Sequence, residues 1–292
     1  MTRRILLPGA GTGAANNLIR SLWADYPGLV VVGVNDDRFT LRNSKANRNY
    51  LLPAAGDPRF ADALRTLVER EQIDLLMPNS AADVSIASGL RDVLPCRILL
   101  PSKSCIDRCL NPQELREFLR AQGILAVFAD PPRRGRDLAC QSLWKDGRLV
   151  LIKTVERLAY LDATTRTGST IESLARTVNE PKVVATCVEA IRAIDPEATG
   201  AYSVNLTESP TGRPCITEVS PGHFTTMVNF FDFTGHHNMS AAYVRLALGE
   251  PVDIDDPCDV AEDRFFVRGI DTLPAIFHPD QLFEGIAEVA RA

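Results

Sequence analysis

Over residues 5–101, short apolar runs alternate with segments whose apolar residues recur at helical spacing, which restricts the front of the chain to a layered α/β structure. Residues 5–8 (Ile-Leu-Leu-Pro), 29–34 (Leu-Val-Val-Val-Gly-Val), 73–78 and 97–101 are strand-sized and mostly apolar, as strands buried on both faces must be. Phe60, Leu64, Leu67 and Val68 fall at i, i+4, i+7 and i+8 behind an Asp57-Pro-Arg cap, forming one stripe for packing on a sheet. Further helices run through residues 17–22 and 84–90. This order of strand and helix implies right-handed crossovers and a parallel sheet covered on both faces. Two more helices follow at residues 103–110 and 113–122. Asn111 caps the second, and Pro112 suits its first helical position because that N–H has no partner anyway.

Gly9-Ala-Gly-Thr-Gly13 makes a tight turn from the first strand into a helix whose free amides can receive an anion. Asn35-Asp36-Asp37 ends the following strand. Strand, glycine turn, helix, strand and acid is the order of a dinucleotide site. Here the third glycine stands one residue early for Gly-x-Gly-x-x-Gly, and the acid follows soon after its strand. A nicotinamide-dependent oxidoreductase is therefore the weaker reading, and Gly9, Gly11 and Gly13 are expected to face some other small molecule.

From residue 136 the pattern changes. Residues 137–147 and 148–153 read as antiparallel strands joined at Lys145-Asp-Gly147, strong hairpin chemistry. Val184, Cys187, Val188 and Ile191 mark an amphipathic helix. A second strand pair, 202–207 and 216–220 around a 208–213 turn, carries Asn205, Glu218 and Ser220. It is followed by a Pro221-Gly222-His223 turn and a helix end at 243–250. Before the first hairpin, Pro131-Pro132 and two arginines read as an extended linker, since each proline disfavours helix in the preceding residue. The expected organisation is a domain over residues 1–123, a linker over 124–135 and a domain over 136–292. Its tail is expected to hold a strand at 264–269 and a last helix from Pro279.

A chain of 292 residues can bury two cores. Its net charge of −5 leaves no basic footprint for duplex nucleic acid. No apolar run is long enough to span a bilayer, and the one behind Arg3-Arg4 stops at Pro8-Gly9, short of a signal peptide, so the cytoplasm is expected. Seven cysteines without a Cys-x-x-Cys pair read as reduced thiols rather than a zinc site. His236-His237 near Asp232 reads as a solvated loop.

The strand pair with Asn205, Glu218 and Ser220, the Pro221-Gly222-His223 turn and the 243–250 helix end resemble the closing segment of ATP-grasp enzymes. The front half, with Asn49-Tyr-Leu-Leu-Pro53 and Leu99-Leu-Pro-Ser102, resembles the preceding domain of carbamoyl-phosphate-synthase-like and biotin-carboxylase-like members. This resemblance implies an α/β chain with an N-terminal Rossmann-like parallel-sheet pre-ATP-grasp domain, then a truncated α+β ATP-grasp domain with an antiparallel sheet. It implies ATP and Mg2+ as cofactors and the joining of a small carboxylate to an amine or similar nucleophile through an acyl phosphate. Glu218, Asn205 and Ser220 then correspond to metal ligands, Lys153 and Leu206 to nucleotide contacts, and Arg157, Arg166 and His223 to groups near the transferred phosphoryl. The glycine turn faces the acceptor or carboxylate.

Four departures from the family pattern accompany the resemblance. Asn205 stands for an acid, Ser220 for an asparagine and Pro112 for a lysine, and about a dozen residues replace a lid subdomain. They imply a reduced nucleotide site, with a homodimer or a partner chain supplying the lid. The alternative is a degenerate relative that has lost ATP use, serving as a binding or interaction subunit or reusing the inter-domain cleft for another small molecule.

Overall fold

The computed structural model describes residues 2–127, 135–160, 172–261, 264–267 and 285–288. The chain runs β1 (Arg4–Pro8), α1 (Gly13–Asp25), β2 (Val30–Asn35), α2 (Arg38–Leu41), β3 (Arg48–Leu51), α3 (Phe60–Glu71), β4 (Leu75–Leu76) and α4 (Ala81–Gly89). It continues through α5 (Lys103–Cys109), α6 (Pro112–Ala121), β5 (Asp137–Lys145), β6 (Arg148–Tyr160), β7 (Glu172–Thr177), α7 (Pro181–Ile194), β8 (Gly200–Glu208) and β9 (Pro214–Pro221). The remaining elements are α8 (Val228–Asp232), α9 (Met239–Leu248), β10 (Phe265–Val267) and β11 (Ile286–Glu288). The chain divides into two compact units.

The first unit comprises Met1–Leu99, Ser240–Val252 and Thr272–Ala292. Its parallel sheet has the order β11-β3-β2-β1-β4. Ile5, Leu6 and Leu7 are fully buried, as their uninterrupted apolar run requires. The strand expected at residues 97–101 forms only one bridge, Leu75 with Arg97. Its neighbour β4 is two residues long, and Pro78 has no N–H to extend the ladder. Of the helix expected from Pro279, only 285–288 are described, and there β11 pairs in parallel with β3. Helix α9 returns to this unit late in the chain: the Tyr243 hydroxyl donates to the Leu99 carbonyl at 2.6 Å, and Arg97 donates to the Ala247 carbonyl at 3.0 Å.

The second unit comprises Leu100–Met239 and Asp253–Asp271. Helices α5 and α6, which the sequence attached to the front domain, fall here. Their Cys105, Leu115 and Leu119 share one core with Cys140, Trp144 and Ile152 of the sheet and Cys187 and Ile191 of α7. The sheet, β10-β7-β6-β5-β8-β9, is antiparallel throughout. On its other face Ala139, Val155 and Ala175 pack against Met227, Phe230 and Phe231 of the α8 segment. Because side chains alternate along a strand, the residues sharing that face include Asp137, Arg157, Ser203 and Asn205.

Candidate functional site

The β5–β6 and β8–β9 pairs of the second unit each carry a one-residue register shift, and these shifts help assemble the site. In the β5–β6 pair the register shifts between Leu143 and Trp144, which sets Asp137 directly opposite Arg157. In the β8–β9 pair it shifts between Asn205 and Leu206, which sets Asn205 directly opposite Glu218. A bulge inserts one residue into one strand and thereby changes which side chains meet.

The result is one continuous polar chain. Arg157 donates from Nε and Nη2 to Asp137 Oδ1 at 2.9 and 2.5 Å, and from Nη1 to Asn205 Oδ1 at 3.1 Å. Asn205 Nδ2 in turn donates to Glu218 Oε2 at 2.8 Å, and the Ser220 hydroxyl donates to Glu218 Oε1 at 2.8 Å. On the other side the Arg157 guanidinium lies 3.8 Å from Glu172 Oε1, and Glu172 Oε2 accepts from the Thr226 hydroxyl at 3.1 Å. Tyr160 completes the chain by donating its hydroxyl to Asp137. Burial disfavours the Arg157 charge, yet Asp137 and Glu172 outweigh it and raise the guanidinium above its ordinary value. Burial also pushes the Tyr160 phenol up, and the Asp137 carboxylate adds to that shift.

The structure thus brings together four of the predicted residues, Arg157, Asn205, Glu218 and Ser220. Arg157 is mostly buried among its partners, whereas Glu218 is exposed. His223 follows the Gly222 turn with Nδ1 2.9 Å from the Phe224 carbonyl, so in the neutral ring Nδ1 carries the proton and Nε2 is the basic nitrogen. Arg166 lies outside the described residues. Asp137, Tyr160, Glu172 and Thr226 were missed by sequence reasoning. They are ordinary polar residues there, and only the shifted registers and the approach of the α8 segment unite them.

Two of the expected residues are buried. Lys153, expected to contact nucleotide, is 2% exposed and consumed by the fold. Its Nζ donates to the carbonyls of Phe231, Thr234 and His237 at 2.8, 2.5 and 2.7 Å and lies 3.0 Å from Asp259 Oδ2. Burial lowers the Lys153 ammonium below its ordinary value despite the facing Asp259. Burial alone would raise Asp259, but the amides of His236 and His237 and the Lys153 ammonium prevail and hold its carboxyl at about 2. Leu206, also expected at the nucleotide, is 1% exposed and belongs to the core beneath the sheet with α7.

The glycine turn is first a packing device. Gly11 has φ of 91°, and a Cβ there would stand 1.8 Å from the Thr40 carbonyl oxygen. Thr12 caps α1, its hydroxyl accepting from the Ala15 amide at 3.2 Å. Gly13, by contrast, is open, with nothing within 4 Å of an added Cβ.

Magnesium favours octahedral oxygen ligands, commonly one or two carboxylates completed by water and phosphate. This site offers one exposed carboxylate, Glu218, beside the Ser220 hydroxyl and the Asn205 amide, a set that fits a single ion. A two-ion arrangement does not fit, because Asn205 brings no charge and turns its N–H end toward Glu218. Among the described residues no group of three His, Cys, Asp or Glu side chains is placed to hold a metal ion by itself. Nor is any helix among them long and apolar enough to cross a membrane.

No protein-family model and no curated protein sequence matches the chain. Solved structures do. The L-amino acid ligase from Bacillus licheniformis is 13% identical with a TM-score of 0.65, over 84% of this chain and 74% of that one. The biotin carboxylase from Campylobacter jejuni, in its beta-gamma-ATP complex, is 10% identical with a TM-score of 0.64, over 88% and 73%. The biotin carboxylase domain of a thermophilic 2-oxoglutarate carboxylase bound to bicarbonate is 11% identical with a TM-score of 0.66, over 91% and 73%. The parallel sheet, the separate antiparallel sheet and these likenesses define an ATP-grasp fold. Within that fold the chain is similar to biotin carboxylases.

Proposed function

We propose that the chain is an ATP-grasp-type ligase with a reduced metal set, using ATP and Mg2+ to activate a small carboxylate as an acyl phosphate for capture by an amine or similar nucleophile. The observation that carries this reading is the exposed Glu218 carboxylate, set opposite Asn205 and tied through it to a buried, fully charged Arg157. Support also comes from the fold neighbours, which are named as ligases and carboxylases and include one in complex with a form of ATP. Glu218 would hold the ion with the Ser220 hydroxyl, while Asn205 Oδ1 stays with Arg157. Bound Mg2+ would supply neutralisation of phosphate charge, the main requirement of phosphoryl transfer. Arg157, with its donors already directed to Asp137 and Asn205, positions the carboxamide. His223 and Arg166 remain the candidates for the transferred group, His223 through Nε2.

A second reading rests on a specific feature of the same site. Asn205 brings no charge to the site and turns its N–H end to Glu218, and Lys153 is wholly engaged elsewhere. These features favour a relative that has given up ATP and retains a binding role. Calorimetry with ATP and Mg2+ separates the two. The ligase reading expects a heat of binding that disappears in Glu218→Gln while the far-ultraviolet circular dichroism is unchanged; silence at millimolar nucleotide sinks it and leaves the second.

A further inference from the structure

We propose that the first unit holds a separate small-molecule site for an amine carried on an apolar ring, the ring filling a cavity and the ammonium meeting Asp36 at its rim. The cavity, of about 260 Å³, opens at the carboxyl ends of β1, β2, β3 and β4, with α3 and α4 as its side walls. In the sheet β1 lies between β2 and β4, so the strand order reverses direction there. Open parallel sheets bind ligands outside the carboxyl ends of their strands at such a reversal. Val34, Leu52, Phe60, Leu64, Leu76 and Ile86 supply the apolar walls. Phe60 and Ile86 are only partly buried, leaving apolar surface in the cavity that a flat ring would take out of water.

Asp36 alone selects the ligand's charge. It stands directly after β2, lines the cavity, is exposed, and has no hydrogen-bond or ion-pair partner among the described residues. Asn35 beside it is committed to the turn, donating to the Ala10 carbonyl at 2.9 Å and accepting the Asp37 amide at 3.0 Å. Asp83, the other carboxylate of the lining, serves the cap of α4, its Oδ2 accepting from the Asn79 amide at 3.2 Å and the Ser80 hydroxyl at 2.8 Å. A carboxylate at the mouth of an apolar cavity attracts a ligand cation and raises its local concentration. An amine lying ring-inward keeps its ammonium at the rim, in water and beside Asp36, so that apolar area is buried and no charge is. The volume lies just below the roughly 300 Å³ at which ligand pockets begin, which admits one ring system with a short arm and excludes a dinucleotide. None of the described lining residues belongs to the Glu218 site, and an ammonium on Asp36 needs no Mg2+.

The test is calorimetry of the full chain with phenethylamine, tyramine and tryptamine, each beside the alcohol of the same skeleton, in the presence of chelator so that no Mg2+-dependent site contributes. At neutral pH these amines are protonated, as a lysine side chain is. At least one amine is expected to bind at sub-millimolar concentration and about fivefold tighter than its alcohol, the upper value for an ion pair that keeps one side in water. Asp36→Asn, at an exposed position, should remove that preference and leave the alcohol unaffected. Ile86→Trp, filling the cavity from a partly buried wall, should weaken amine and alcohol alike by about tenfold or more, the value of burying the ring. Where Ile86→Trp does not fold, Asp36→Asn decides by itself, and Glu218→Gln should change none of these affinities. Silence toward all three amines at millimolar concentration overturns the proposal, as do equal affinities for amine and alcohol in the wild type, a preference that survives Asp36→Asn, or binding that vanishes with Glu218→Gln.

Discussion

Asn205→Asp tests whether the Asn205 carboxamide has replaced a metal-bridging charge. Asn205 Nδ2 now donates to Glu218 at 2.8 Å, and its oxygen accepts from Arg157 at 3.1 Å. An aspartate keeps the second contact and turns the first into a carboxylate pair with charge centres about 4 Å apart, worth about 1 kcal/mol of repulsion in water and about 4 kcal/mol at an effective dielectric of 20. Glu218 is exposed, which places the pair near the lower figure, and attraction of the new carboxylate to Arg157 offsets part of it. Without metal the variant should lose no more than about 1 kcal/mol. With Mg2+ at one hundred times its dissociation constant, binding to the folded state returns about 2.7 kcal/mol. At about 2–4 °C per kcal/mol for a unit of this size, the melting temperature should rise by about 5–10 °C on adding Mg2+. The assay is a calorimetric melt of wild type and variant in chelator, in MgCl2 and in MgCl2 with ATP. Equal Mg2+ shifts in the two proteins would refute the reasoning, because the amide would then not be what limits the site.

Lys153→Met should cost about 3–5 kcal/mol in urea unfolding, since it leaves Asp259 buried with its charge and frees three carbonyls. Asp259 titrates at about 2 when folded, below the unfolded carboxylate near 3.9, so its contribution is complete above pH ~4 and lost as the pH falls through about 2. Acid unfolding of Asp259→Asn should accordingly show a shallower pH dependence across that window, and an unchanged slope would contradict the assignment. Gly11→Val should fail to yield folded protein, because its Cβ has no room beside the Thr40 carbonyl, whereas Gly13→Ala should express and melt like wild type.

The front sheet was readable because a parallel sheet covered on both faces needs near-continuous apolar strands, and residues 5–8 and 29–34 have them. The Asp146-Gly147 turn was equally plain, since Asp146 and Gly147 take the positive φ values, 49° and 74°, that a tight hairpin demands. The short β4 and the roles of Lys153 and Leu206 were not readable. Burial of a lysine is unfavourable in isolation, and only the three carbonyls and Asp259 gathered from residues 231–259 make it tolerable.

From the sequence alone came the order of elements, the two kinds of sheet and the residue types that reach the site. Which of those residues touch was decided in three dimensions. Counted without interruption from Lys145 opposite Arg148, Asp137 would face Glu156, and counted from Glu208 opposite Pro214, Asn205 would face Thr217. One extra residue in each hairpin moves the partners to Arg157 and Glu218. A shift of a single residue exchanges the faces of a strand, and where it occurs depends on packing around residues such as the fully buried Trp144, which local sequence does not encode.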